Sequence, residues 1–220
     1  PLYPTLAAAT VHQILTHSEA KACFIGKLDG WEQMKPGVPV GMPCLSYPLS
    51  PPDAIKSYPG WEKICKDTPP LQGNRERGGD ELATLIYTSG TTGKPKGVLQ
   101  TFGMVFYNAL NIGLAIGLTD ADVTLNLLPC FHTGGLNMYT NPTFHVGGTA
   151  IVQKAFEPAE TLRLLAEEAT AMFGVSAVYL FLSQHPDFAT TTFKHMRSWA
   201  AGGAPIPTSL LETYLARGIE

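Results

Sequence analysis

Leu82-Ala-Thr-Leu-Ile-Tyr87 runs directly into Thr88-Ser-Gly-Thr-Thr-Gly-Lys-Pro-Lys-Gly97, and this junction decides how the rest of the chain is read. The first six residues are an apolar run that suits a strand. The ten that follow carry four hydroxyls, three glycines and two lysines, and a helix is expected to begin near Thr101. Each component suits phosphate. Gly90 and Gly93 let backbone N–H groups converge on an anion. Thr88, Ser89, Thr91 and Thr92 supply short hydroxyl donors. Lys94 and Lys96 add positive charge on either side of Pro95, and a helix N-terminus behind the loop would add its dipole. An ordinary polar surface loop draws on the same residue types, but glycines, hydroxyls and lysines together between a strand and a helix favour phosphate. Pro95 stands where a Walker loop needs Ser or Thr after its lysine, and the G-x-G-x-x-G spacing of a dinucleotide loop is missing. The expectation is therefore a triphosphate loop of another design.

Outward from this junction, short apolar runs alternate with helical patterns. That rhythm predicts an α/β fold of mostly parallel sheets flanked by helices. Strands are expected at 21–25, 38–46, 82–88, 123–128, 149–153, 170–173 and 197–201, and helices at 6–18, 61–66, 101–117, 158–169, 175–183 and 207–216. Pro158 suits a first helical turn, with Glu157 before it at the positive helix end. Residues 72–80 form a polar loop leading into the strand at 82.

Composition narrows the function classes. With 220 residues the chain makes one large domain or two small ones, and its net charge of −3 gives no electrostatic grip on nucleic acid or anionic lipid. Charged residues are 15% of the chain, against about 25% in an average soluble domain, while 45% hydrophobic residues exclude a disordered chain. Low charge with ordinary apolar content implies that further protein covers some of this surface, and the chain reads as part of something longer. Cys23, Cys44, Cys65 and Cys130 form no C-x-x-C and read as scattered buried thiols of a reducing compartment, the cytoplasm. No metal-ligand set is expected. The most apolar stretch, 104–118, is interrupted by Asn108 and Asn111 and is shorter than the roughly 18 residues of a membrane span.

Residues 87–98, Tyr-Thr-Ser-Gly-Thr-Thr-Gly-Lys-Pro-Lys-Gly-Val, resemble at every position the phosphate loop of the adenylate-forming superfamily: acyl- and aryl-CoA synthetases, luciferases and peptide-synthetase adenylation domains. Upstream, Pro1-Leu-Tyr-Pro4 and His17-Ser-Glu-Ala-Lys-Ala22 are similar to the segment that precedes this loop in the family, and the resemblance runs over essentially all 220 residues. It implies that residues 1–220 are a partial N-terminal AMP-binding domain, with the rest of that domain and a C-terminal lid domain lying outside the chain. It also implies a ligase that uses ATP, Mg2+ and CoA on a small carboxylic acid, fatty or aromatic. The magnesium-binding Glu, the ribose-binding Asp and the lysine of the lid would lie beyond Glu220. The isolated fragment is therefore expected to show little or no activity.

Two more segments gain roles from the resemblance. Leu128-Pro-Cys-Phe-His-Thr-Gly-Gly-Leu136 follows a predicted strand, at the strand end where open α/β sheets bind ligands. A lone His there is by itself an ordinary polar residue; the resemblance places Phe131 and His132 beside the bound acyl group. His132 is then a candidate catalytic residue with Lys96, and Gly134 and Gly135 let the following helix approach closely. In Trp199-Ala-Ala-Gly-Gly-Ala-Pro205, a plain strand-to-helix turn accounts for the residues equally well; the resemblance assigns Gly202, Gly203, Ala204 and Pro205 to the adenine and the acyl pocket. Phe173-Gly-Val-Ser-Ala-Val-Tyr179 resembles a pocket-lining turn, giving Val175 and Tyr179 to the substrate, although Ser176 replaces the family's usual proline. His12, His17, His145, His185 and His195 read as ordinary polar residues. An amino-acid substrate would need a carboxylate near its ammonium group, and His132 rather than an acid follows Phe131, which favours an acyl or aryl acid. Two rivals remain: a serine hydrolase using His132, for which Gly174-Val-Ser-Ala-Val178 lacks the last glycine of G-x-S-x-G, and a non-catalytic nucleotide- or partner-binding truncation.

Overall fold

Val11, Ile14 and Leu15 recur at helical spacing and become the buried stripe of α1 (Ala8–His17). The computed structural model describes residues 1–88 and 95–220 and divides the chain into two units, Pro1–Phe102 and Gly103–Glu220. In the first unit β1 (Cys23–Ile25) and β2 (Cys44–Ser46) pair in parallel, with α2 (Trp31–Met34) between them in sequence. Val11, Leu15, Ile25, Trp31, Met34, Cys44 and Ala54 form its core. Gly37 is required where the turn after α2 meets α1, because a Cβ there would lie 2.2 Å from the Ala8 carbonyl oxygen. The strand expected at 38–46 shrinks to its last three residues. Pro39 and Pro43 lack the N–H a ladder needs, and Gly41 turns the chain at φ +80°.

After α3 (Trp61–Asp67), β3 (Leu82–Thr88) pairs antiparallel with β4 (Lys96–Thr101). This corrects the expected setting of the glycine-rich loop. The loop joins two strands of a hairpin rather than a strand and a helix, and α4 (Phe102–Ile116) begins after β4, within a residue of the start expected for it. The six residues of β4 lack a strong apolar alternation of their own; they are a strand because β3 offers them a backbone ladder. Ser89, Gly90, Thr91, Thr92, Gly93 and Lys94 lie outside the described residues.

The second unit continues with β5 (Val123–Asn126), α5 (Thr140–Val146), β6 (Thr149–Val152), α6 (Pro158–Glu167), β7 (Ala171–Gly174), α7 (Ser176–Gln184), β8 (Ser198–Ala201) and α8 (Thr208–Leu215). The four strands form one parallel sheet in the order β6-β5-β7-β8, as the alternating pattern predicts. Leu125, Leu165, Met172, Val178, Leu182 and Tyr214 are among the residues of its core. Pro158 does stand in the first turn of α6, behind Glu157. All four cysteines are free, but only Cys44 is fully buried: Cys65 lies on α3, which buries no residue, and Cys130 on a turn, and both are exposed, contrary to expectation. Among the described residues no helix is long and apolar enough to cross a membrane.

The amino-terminal ends of the sheet are tied to one buried carboxylate. Asp122, 3% exposed and just ahead of β5, accepts from Thr119 N (2.8 Å) and Thr119 Oγ1 (3.0 Å) on Oδ2, and from Thr170 Oγ1 (2.7 Å) and Arg197 Nε (2.7 Å) on Oδ1. Arg197 also donates through Nη2 to Asp122 Oδ2 and reaches the Ile116 and Gly117 carbonyls at 2.8 and 3.1 Å, at the carboxyl end of α4. The Arg197 guanidinium holds the carboxyl well below the usual carboxylate range against the opposing effect of burial, and the Thr170 and Thr119 donors add to it. Because the folded-state value is depressed, the stabilisation is present above the unfolded-state value near pH 4 and is lost as pH falls toward the folded-state one. Asp122→Asn is expected to cost about 3 kcal/mol at pH 7 and to flatten the acid limb of the stability profile. Urea unfolding between pH 7 and pH 3 checks both, and an unchanged acid limb would show that the carboxylate does not carry it.

Candidate functional site

β5 ends at Asn126, whose buried amide builds the turn that follows. Oδ1 accepts from Leu128 N at 3.0 Å, while Nδ2 donates to the Gly135 carbonyl at 3.0 Å and to Cys130 Sγ at 3.3 Å. Thr140 Oγ1 donates to the same Gly135 carbonyl at 2.7 Å. Only glycine fits at 135, because a Cβ would lie 2.3 Å from the Leu128 oxygen and 2.4 Å from that of Pro129. The close approach expected at this glycine is therefore the turn's own backbone rather than the following helix. The loop so pinned carries Phe131, half-buried, and His132, exposed. Gly134 N donates to His132 Nδ1 at 3.0 Å, so the neutral ring carries its hydrogen on Nε2, a donor of the kind that suits a carboxylate. One π-helical turn (Gly134–Met138) then leads into α5.

The turns after β7 and β8 are stitched to each other. Gly202 N donates to the Gly174 carbonyl at 3.2 Å, Ser176 Oγ to the Pro205 carbonyl at 3.1 Å, and the Tyr179 hydroxyl to the Ala200 carbonyl at 2.7 Å. The edge of the Phe173 ring occupies the space a side chain on Gly202 would take, 3.1 Å from its Cβ position, and Gly203 has φ +86°. Ser176 thus uses its hydroxyl to tie the two turns together, the reverse of what a hydrolase nucleophile beside a base requires. Tyr179 is 6% exposed. Burial pushes its phenol well above the usual tyrosine value, and with the hydroxyl engaged it can offer a substrate only ring carbon.

Phe131, His132, Val175 and residues 202–205 therefore share the carboxyl ends of β5, β7 and β8. In the order β6-β5-β7-β8 the chain leaves β5 toward β6 and returns past it to β7, so the boundary between β5 and β7 is the switch point at which open α/β sheets bind ligands. In the first unit Thr88 and Lys96 face each other as the last rung of the hairpin, and both are exposed. Among the described residues no three His, Cys, Asp or Glu side chains gather where they would hold a metal ion. Asn126 escaped sequence reasoning; its signal was a polar residue at the end of an apolar strand, directly before Leu-Leu-Pro.

A family model described as AMP-binding enzyme matches residues 1–220. The chain belongs to the AMP-binding enzyme family. A long-chain-fatty-acid–CoA ligase of Mycobacterium tuberculosis is 31% identical, over 100% of this chain and 42% of that protein. A feruloyl-CoA synthase of Amycolatopsis is 36% identical, over 64% of this chain and 29% of that protein. The crystal structure of ATP-bound MatB from Rhodopseudomonas palustris superposes with a TM-score of 0.81 at 28% identity, over 98% of this chain and 42% of that one. The chain thus spans less than half the length of the curated relatives it matches, and its parallel sheet with flanking helices is the architecture shared with the solved structure.

The turn geometry separates two neighbouring glycines. Gly135→Ala is expected to destabilise the second unit by about 3 kcal/mol, because backbone oxygens block the new methyl. Gly134→Ala, whose Cβ would lie 3.3 Å from the movable His132 ring, is expected to cost under about 1 kcal/mol. Thermal unfolding of the two variants side by side checks the contrast; equal losses would show that the turn is not packed as described.

Proposed function

We propose that the complete protein is a cytoplasmic acid–CoA ligase that forms AMP. A carboxylate oxygen of a fatty or aromatic acid attacks the α-phosphorus of ATP, and the bond to the β-phosphate breaks, releasing pyrophosphate and leaving an acyl-adenylate. The thiol of CoA then attacks the acyl carbon, loses its proton, and displaces AMP to give the thioester. Neither step needs a protein nucleophile. Such transfers depend on positioning and on neutralising charge that develops on the leaving phosphate.

The roles follow residue chemistry. Thr88, Ser89, Gly90, Thr91, Thr92, Gly93 and Lys94 hold the phosphate tail through hydroxyls, backbone N–H groups and charge, and Lys96 neutralises the departing pyrophosphate. The turn of Gly202, Gly203, Ala204 and Pro205 receives the adenine and one side of the acyl group. Phe131, Val175 and the ring of Tyr179 bound the acid, and His132 donates to its carboxylate. With His132 rather than an acidic side chain after Phe131, an amino-acid ammonium group would go unpaired there. Fatty and aryl acids remain the favoured substrates, in line with the two curated relatives named above.

The observation that carries this reading is the arrangement at the switch point: a histidine with its donor nitrogen set by Gly134, and a glycine turn stitched to its neighbour, on the carboxyl ends of one parallel sheet. The test is acid-dependent exchange of labelled pyrophosphate into ATP by the full-length protein, screened over fatty and aromatic acids. Thr91→Ala and Lys94→Ala are each expected to lower the exchange rate about tenfold or more, as hydrogen bonds to charged groups do. Normal rates in both variants would remove the glycine-rich loop from the site.

A further inference from the structure

Tyr87 is the last buried residue of β3, 6% exposed, and its register partner on β4 is Gly97. The Tyr87 ring lies over that glycine: a Cβ on Gly97 would stand 3.2 Å from Cζ of the tyrosine. Its hydroxyl is 2.7 Å from Nδ1 of His17, 70 residues earlier at the end of α1. The two rings also meet edge to face, with centroids 5.8 Å apart at 84°. Immediately beyond Tyr87 comes the rung Thr88–Lys96, from which residues 89–94 spring. The stem of the glycine-rich loop is thus fastened on one side by the absence of a side chain at 97 and on the other by an imidazole from a distant helix.

We propose that His17 is a positioning residue for nucleotide binding, holding Tyr87 across Gly97 so that Thr88 and Lys96 leave the hairpin in a fixed geometry. The nucleotide part of this proposal rests on the function proposed above; the clamp itself does not. Without the His17 bond, Thr88 and Lys96 hold their productive arrangement for a smaller fraction of the time even while the ladder stays paired, and apparent affinity falls by that fraction. Once ATP is bound, the chemical step is unaffected. The expected signature is therefore a raised KM for ATP without a lowered kcat.

Two readouts on the full-length protein test this. Trypsin does not cut Lys94–Pro95 readily, but it cuts Lys96–Gly97 once β4 leaves the ladder, so the cleavage rate at 96–97 reports the opening of the stem. His17→Phe is expected to raise that rate about fivefold, with cleavage after Arg75 and Arg77 in the loop ahead of β3 unchanged. Tyr87→Phe should match it, and the double variant should be no faster than either single one, because both remove the same bond. His17→Asn, whose amide reaches the place of Nδ1, should restore the slow rate. In pyrophosphate exchange, His17→Phe should raise the KM for ATP about fivefold while kcat and the KM for the acid stay within about twofold.

An unchanged cleavage rate, or additive effects in the double variant, would overturn the clamp. Faster cleavage with an unchanged KM for ATP, or an equal loss in every kinetic parameter together with a lower Tm, would overturn the positioning role. If the unmutated protein shows no acid-dependent exchange with any acid, the ligase reading fails and the nucleotide role of His17 fails with it, an outcome distinguishable because it needs no variant.

Discussion

A carboxylate that is nearly inaccessible to water holds the parallel sheet in order. Asp122 collects donors from Thr119, from Thr170 ahead of β7 and from Arg197 ahead of β8, and through Arg197 it reaches the carbonyls that close α4. Parallel strands are joined by long crossovers, so nothing local sets where one strand starts relative to the next. A charged group shared by the starts of three strands does so. With their amino ends aligned, β5, β7 and β8 bring their carboxyl ends, and the turns after them, to one edge of the sheet.

At that opposite edge polar side chains do a different task. Asn126 satisfies three partners in one tight turn, and Ser176 and Tyr179 each hold a carbonyl on or beside the next turn. Buried or half-buried backbone groups that lack ladder partners need such donors and acceptors. Here they come from side chains whose positions are fixed by the strands. Phe131 and His132 are held out of the core by this arrangement, and the hydrogen bond from Gly134 N selects the tautomer of His132.

The first unit solves a separate problem with different means. The two residues that flank the glycine-rich segment, Thr88 and Lys96, are placed by the stem. In β3 and β4 the stem is secured by the Tyr87 ring over Gly97 and by the Tyr87 hydroxyl on His17. The glycine serves the tyrosine here: it is a position where a side chain would crowd the Tyr87 ring, not one where the backbone needs a positive φ.

The amino-acid sequence alone determined the α/β alternation, because apolar runs of strand length and stripes at helical spacing are local properties. It placed α6, α7 and α8 to within two residues of their ends, helped by Pro158 at a helix start. The glycine-rich stretch, the Phe131–His132 pair and the Gly202–Pro205 turn stand out in one dimension as clusters of unusual residue types, and the structure puts the last two at the carboxyl ends of one sheet. Tertiary structure decided the rest. β4 exists because β3 supplies a ladder that its own residues do not announce. Cys65 is exposed because the helix that carries it buries no residue, and Cys130 because the turn pinned by Asn126 leaves it on the outside. Asp122 and His17 matter through partners 75 and 70 residues away in the chain, and no spacing rule reports a contact that exists only after the chain has folded.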